Sequence, residues 1–202
     1  MKIALVSSLR DPGGCTIHDA LLSLLAEPHE AYPLERHDLS HHRVKNRLIY
    51  KDHIDREIDA DLIIFLSRHS SVNPVPVLTV HVTGNISSAD FGGRERSLSP
   101  AAPAWMHAIL RELSKNAPPS FRVAYEVTHH GPTELSIPSL FAEVGSTERE
   151  WRDKAAGLAV ARSVLSADPA DCIPLIGFGG THYAARQTHI ALTTRGAFGH
   201  IA

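Results

Sequence analysis

The chain has 202 residues, enough for one domain with a substantial core. Its formal charge of −2 excludes a generic nucleic-acid coat, which depends on a large phosphate-neutralising surface, and no apolar run approaches the roughly 18 residues of a membrane span. Two cysteines without CxxC spacing indicate neither a disulfide framework nor a thiolate zinc site, and the short apolar N-terminus suits a first strand better than a signal peptide, so the expected address is the cytoplasm.

The unusual feature is histidine, present 14 times, since imidazole is the commonest metal ligand and the side chain that titrates near neutrality. Those of the polar N-terminal third (His18, His29, His37, His41, His42 and His53) are expected on solvated surface.

In chain order, residues 3–7 are expected as a buried strand, and D-P-G-G (11–14) then leads into a helix over 16–26. This opens a βα unit, although no full glycine-rich phosphate-binding motif follows. A connecting region contains a short strand at 47–50 and a helical turn at 53–58. L-I-I-F-L-S (62–67) is a continuous apolar run suited to a strand covered on both faces. Another strand spans 75–82, and a polar loop with Gly92-Gly93, Arg94 and Arg96 spans 87–99. Residues 100–115 are the clearest amphipathic helix, with Ser99 as its N-cap and Pro100 in its first turn. Strands follow at 121–128 and 139–144. Thr147, with Glu150 completing a capping box, opens a helix over 148–165. A last buried strand at 172–178 precedes a helix over 184–194 and the closing segment 197–202. Alternating strands and helices predict a single α/β domain over 1–202, with three layers and a mostly parallel or mixed sheet flanked by helices.

Each of four predicted strands runs into a polar burst: His69 after 62–67, His81 within 75–82, His129-His130 after 121–128, and His182 after 172–178. Carboxyl ends of parallel strands line up along one sheet edge, where ligands bind, so these residues are expected to converge there. Glu126, Glu134 and Glu143 are the carboxylates able to join them. Imidazoles with carboxylates suit zinc, which keeps a position for water in catalytic sites. No H-E-x-x-H or G-x-S-x-G occurs, so neither the common zinc-protease helix nor a serine nucleophile elbow is indicated.

The blocks S-R-H-S-S (67–71), H-V-T-G-N (81–85), F-G-G (91–93), Y-E-V-T-H-H-G-P-T-E (125–134), P-S-L-F-A-E-V-G-S-T-E-R-E-W (138–151), G-F-G-G-T-H-Y-A-A-R-Q-T (177–188) and A-F-G-H-I (197–201) resemble, in order, the archaeal and plant type of D-aminoacyl-tRNA deacylase. The first 60 residues match only in outline. The resemblance implies hydrolysis of the ester between a D-amino acid and the terminal ribose of tRNA, a zinc requirement, and a fold similar to that of peptidyl-tRNA hydrolases. On the matching motifs, His69, His81 and His182 are assigned to the metal, and His130, Glu134 and His129 to catalysis. Arg68, Thr83, Gly84, Asn85, Gly131, Gly179, Gly180, Tyr183 and Arg186 are assigned to substrate, with Arg94 and Arg96 as further phosphate contacts. A metal- or His-activated water would attack the ester carbonyl, with Gly179-Gly180 N–H groups or His130 stabilising the oxyanion. Family members continue well beyond A-F-G-H-I, so a chain ending at Ala202 is expected to hold tRNA less tightly or to act as a minimal form. The expected partner is tRNA carrying a D-amino acid, with no membrane and a monomeric chain. The alternatives are a metal-free peptidyl-tRNA hydrolase-like esterase and a metal- or RNA-binding protein without turnover.

Overall fold

The structure, a computed structural model, describes residues 1–72 and 74–202. Its centre is a six-stranded sheet in the order β2-β1-β3-β8-β4-β7. These strands are β1 (Lys2–Ser8), β2 (Asp38–Val44), β3 (Leu62–Arg68), β4 (Val77–His81), β7 (Arg122–Tyr125) and β8 (Ser139–Gly145). β2, β1, β3 and β8 run parallel; β4 lies antiparallel to β8, and β7 runs parallel to β4.

Side chains alternate between the faces, as the pleat requires. Ile3, Leu5, Ile64, Leu140 and Val80 point into the larger core, which is filled from α1 (Pro12–Ala26), α2 (Pro103–Asn116), α4 (Lys154–Leu165) and α5 (Ala185–Thr193). Ala4, Val6, Ile63, Phe65 and Phe141 point to the other face. There the cover is lighter: Leu48 and Ile54 come from short 3-10 turns at Leu48–Tyr50 and Ile54–Arg56, and Leu135 from the chain leading into β8. The expected helix-flanked α/β sheet is present, with unequal flanks, and the lighter face leaves room for a site.

Several local expectations change. The strand expected at 47–50 is a 3-10 turn, and the strand of this region is β2, in D-L-S-H-H-R-V. It is an edge strand whose residues alternate between exposed and half-buried, so it lacks a continuous apolar run. α2 starts at Pro103 rather than Pro100; Ser99 is buried, donates to Pro132 O at 2.8 Å and accepts from Thr83 Oγ1 at 2.8 Å. The helix expected over 148–165 is two. α3 (Glu148–Trp151) has the expected Thr147–Glu150 capping box, and Asp153 restarts the chain as α4 by accepting from Ala155 N and Ala156 N.

The last strand, β9 (Ile173–Gly177), is exposed along most of its length. Among the described residues it pairs only with β10 (Gly196–Ile201), in a separate two-stranded sheet. A second small sheet joins β5 (Gly84–Asn85) to β6 (Ser97–Leu98). His18, expected on the surface, is buried with its Nδ1 3.2 Å from Ser7 Oγ, because α1 lays that face on β1. Gly13 and Gly14 serve the same packing: a Cβ on Gly14 would come 2.5 Å from Leu66 O. Among the described residues, no helix is long and apolar enough to cross a membrane.

Candidate active site

The reversal of strand direction between β8 and β4 decides how the histidines meet. His69 follows the carboxyl end of β3, whereas His81 ends β4, which runs the other way. In register, Thr79 lies opposite Glu143 and His81 opposite Phe141. β7 pairs Val80 with Tyr125, and Glu126 N then donates to Val80 O at 3.2 Å, so the Glu126 carboxylate arrives beside His81. The cluster therefore sits over the lightly covered face of the sheet, approached from both ends, and not along one edge of aligned strand ends. His129 and His130 lie above it on the turn after β7, and His182 comes from the segment before α5.

Three overlapping groups share this floor, the third being His81, Glu126 and Glu143. The imidazoles of His81, His129 and His130 have ring centroids 4.4–4.9 Å apart, and their ligand nitrogens lie within 4.8 Å of one another. Each Nδ1 faces a backbone carbonyl: Val82 O at 3.1 Å, Val127 O at 2.8 Å and Gly131 O at 2.6 Å. That contact makes Nδ1 the protonated nitrogen and leaves an Nε2 lone pair on all three rings, the tautomer that a metal takes. Burial holds all three below the usual histidine range. For His129, burial together with His81 brings the pKa down to about 3.

The second group is His69, Glu126 and His182, also mutually within 4.8 Å. Glu126 is buried, with Oε1 3.0 Å from His69 Nδ1 and Oε2 3.0 Å from His182 Nε2. Burial alone would raise its pKa, but the two imidazoles, with His81 beside them, hold it well below the usual carboxylate range. His182 is raised chiefly by Glu126; His69 is depressed by burial, and Glu126 and Glu143 more than reverse this. Glu143, buried 3.6 Å from His81 Nε2 and 3.8 Å from His69 Nδ1, is pushed well up by burial and by Glu126. Tyr183 Oη lies 2.9 Å from His69 Nε2 and 3.3 Å from Ser146 Oγ, which fixes the His69 ring.

The donor set fits a divalent metal. Both Glu126 oxygens and His81 Nε2 are buried without an aligned hydrogen bond, although imidazole nitrogens approach Glu126 closely. Buried polar atoms left in this way need a partner, and a cation among nitrogen and oxygen donors is one.

A cavity of about 620 Å³ opens over the cluster, lined by His69, His129, His130, Glu143 and His182, and by Arg68. The structure thus brings together five of the expected site histidines, but groups them differently from the split into metal ligands and catalytic residues. Glu134 stands apart, 3.3 Å from Arg94 and 3.5 Å from His53. Thr83 and Asn85 are buried and hold local structure: Asn85 Nδ2 donates to Gly92 O and Arg94 O. Gly84 N donates to His130 O, and Gly131 N to Phe91 O. Gly179 and Gly180 form an open turn at φ of 76° and 121°, with Gly179 N donating to Ala202 O. Arg186 is exposed on α5 and does not line the cavity; Arg94 and Arg96 are exposed too. Glu126 and Glu143 were outside the set assigned by resemblance. Their signal in the sequence is a lone carboxylate in an otherwise apolar strand, A-Y-E-V and L-F-A-E-V.

The profile of the D-aminoacyl-tRNA deacylase family matches residues 56–202. A curated D-aminoacyl-tRNA deacylase of Methanoculleus marisnigri is 60% identical over 201 residues, covering 100% of this chain and 46% of the relative. One from Archaeoglobus fulgidus is 48% identical over 165 residues, covering 77% of this chain and 59% of the relative. A crystal structure described as a conserved protein of unknown function is similar with a TM-score of 0.88 at 42% identity, over 99% of this chain and 75% of that one. The chain spans about half the length of the first of these relatives. By the extent of the profile match and the level of identity, this chain belongs to the D-aminoacyl-tRNA deacylase family.

Proposed function

We propose that the chain hydrolyses the ester joining a D-amino acid to the 3′-terminal ribose of tRNA, at the histidine–glutamate cluster on the floor of the cavity. The observation that carries this reading is the pairing of three neutral, Nε2-presenting histidines with a buried, ionised Glu126 flanked by His69 and His182. The names of the relatives supply the substrate.

In this reading His81, His129 and His130 would hold Zn²⁺, with Glu126 Oε2 beside them, 3.4 Å from His129 Nε2. When bound, such an ion acts as a Lewis acid and makes a nucleophile available at neutral pH. An aminoacyl ester is an activated acyl group, so attack by water needs no covalent enzyme intermediate. Glu126, ionised and fixed between two imidazoles, orients the attacking water and accepts its proton. His182 is half-exposed at the cavity, and the Glu126 carboxylate 3.0 Å from its Nε2 raises its pKa. With Nε2 facing Glu126, its Nδ1–H is left to stabilise the developing oxyanion and to protonate the departing ribose oxygen. Tyr183 and Ser146 keep His69 in place against Glu126. The choice of enantiomer is assigned to the wall at His130–Gly131, whose backbone is fixed by the bonds to Gly84 N and Phe91 O.

Deacylation of matched D- and L-tyrosyl-tRNA, with and without a chelator, tests the reading. The expected result is rapid release from the D-form only, abolished by chelator and restored by Zn²⁺. Equal rates on both enantiomers would remove the chiral assignment, and chelator-insensitive turnover would remove the metal.

A further inference from the structure

The cavity wall away from the cluster carries cations that the hydrolytic chemistry does not use. Arg10, Arg47 and Arg68 all line it, and among the described residues none of the three is in an ion pair. Two guanidiniums are held against aromatic rings, Arg68 4.5 Å above Trp151 and Arg47 5.6 Å from Tyr50. Trp151 is in turn tied to the active cluster, because its Nε1 donates to His69 O at 2.7 Å. The acid on this wall, Asp11, already accepts from Gly14 N, Ser67 Oγ and Arg68 N. A chain of net charge −2 thus concentrates three guanidiniums beside its hydrolytic floor.

Phe91 stands on the same rim, with 62% of its surface exposed. Its loop is fastened on both sides: Gly131 N donates to Phe91 O, Asn85 to Gly92 O, and Arg94 N to Thr133 Oγ1. Gly92, at φ 82°, presses so close to Ile49 O that a Cβ there would come within 2.0 Å, which sets Phe91 beside the segment that carries Arg47. An exposed aromatic ring on an anchored loop, next to unpaired arginines, has the composition of a stacking platform for single-stranded nucleic acid.

We propose that Arg10, Arg47 and Arg68 take the phosphates of the last unpaired nucleotides of the RNA, and that Phe91 stacks one of their bases, so that the 3′-ester is delivered to the cluster. The inference rests on the deacylase reading for its substrate, but a binding experiment separates the two. An uncharged RNA hairpin ending in single-stranded CCA-3′ is titrated against the intact chain by fluorescence anisotropy across salt concentrations. The double variant Arg10→Ala/Arg47→Ala is expected to bind at least about tenfold more weakly. Its slope of log K against log salt should be lower by roughly 0.7 per arginine, the value for single strands. Phe91→Ala should weaken binding about tenfold with the slope unchanged, as lost stacking does. Arg36→Ala, an exposed residue outside the cavity, should bind as the wild type does. Equal affinity and slope in the double variant would overturn the phosphate assignment, and an unchanged Phe91→Ala the stacking one. Deacylation kinetics on the same proteins give a second readout: the variants should raise KM and leave kcat within about threefold. RNA binding of this kind by a wild type that hydrolyses no ester would overturn the deacylase reading and leave the cradle standing.

Discussion

Glu126 and the five histidines divide into two groups by burial and neighbour, and each group has its own test. His81, His129 and His130 present Nε2 lone pairs because a backbone carbonyl holds each Nδ1 proton. His129→Ala or His130→Ala should therefore lose zinc, measured as metal per chain after gel filtration, by more than the roughly 10–100-fold that outer partners of a metal cost. His182→Ala should keep its zinc and lose turnover. Zinc retained in both His129→Ala and His130→Ala would move the metal to the His69–Glu126–His182 group. The sequence made the five histidines visible through their motifs, but not this partition. Which ring nitrogen faces a carbonyl depends on loop geometry, such as the left-handed His130 at φ 49°, that the residue string does not encode.

At the scale of elements, the site exists because one face of the sheet is packed by four helices and the other by short turns. The helical side tolerates little change where α1 meets β3. Gly14→Ala would place a methyl 2.5 Å from Leu66 O, against backbone that cannot rotate away. It should destabilise the fold by about 1–3 kcal/mol, read as a lower urea midpoint with an unchanged m-value. An unchanged midpoint would show that α1 shifts freely on the sheet. Elements with continuous apolar runs, such as L-I-I-F-L-S, were legible because both faces of those strands are covered. β2 was not, since an edge strand mixes polar residues into its pattern, and the polarity of β4 was not, since no local signal in V-L-T-V-H records direction. Aligned strand ends are only part of the reason these residues meet. β4 delivers His81 from the opposite side, and it is the antiparallel step that brings Glu143, His81 and Glu126 onto one patch.

For the whole molecule, the histidines set the response to pH. Six are held below their ordinary value (His18, His41, His81, His129, His130 and His200) and three above it (His29, His69 and His182). A depressed histidine binds its proton more readily in the unfolded chain, so it stabilises the fold above about pH 6.5, and that contribution is lost as pH falls toward the folded pKa. Raised histidines act in the opposite sense, losing their contribution as pH rises through their folded values. With the depressed set larger and more buried, the melting temperature of the metal-free chain should fall as pH drops from about 7 to 4.5. His18→Gln should flatten that fall without touching the active cluster, and an identical pH profile in this variant would show that His18 is not held neutral by the fold.

In the proposed mechanism Glu126 is the ionised base at the floor of the cavity. Single-turnover release of D-tyrosine from D-tyrosyl-tRNA by wild type and Glu126→Gln, with folding checked by circular dichroism, measures this directly. The expected rate in the variant is at least about 100-fold lower, in line with loss of a positioned base. A folded Glu126→Gln protein within about threefold of wild type would contradict it.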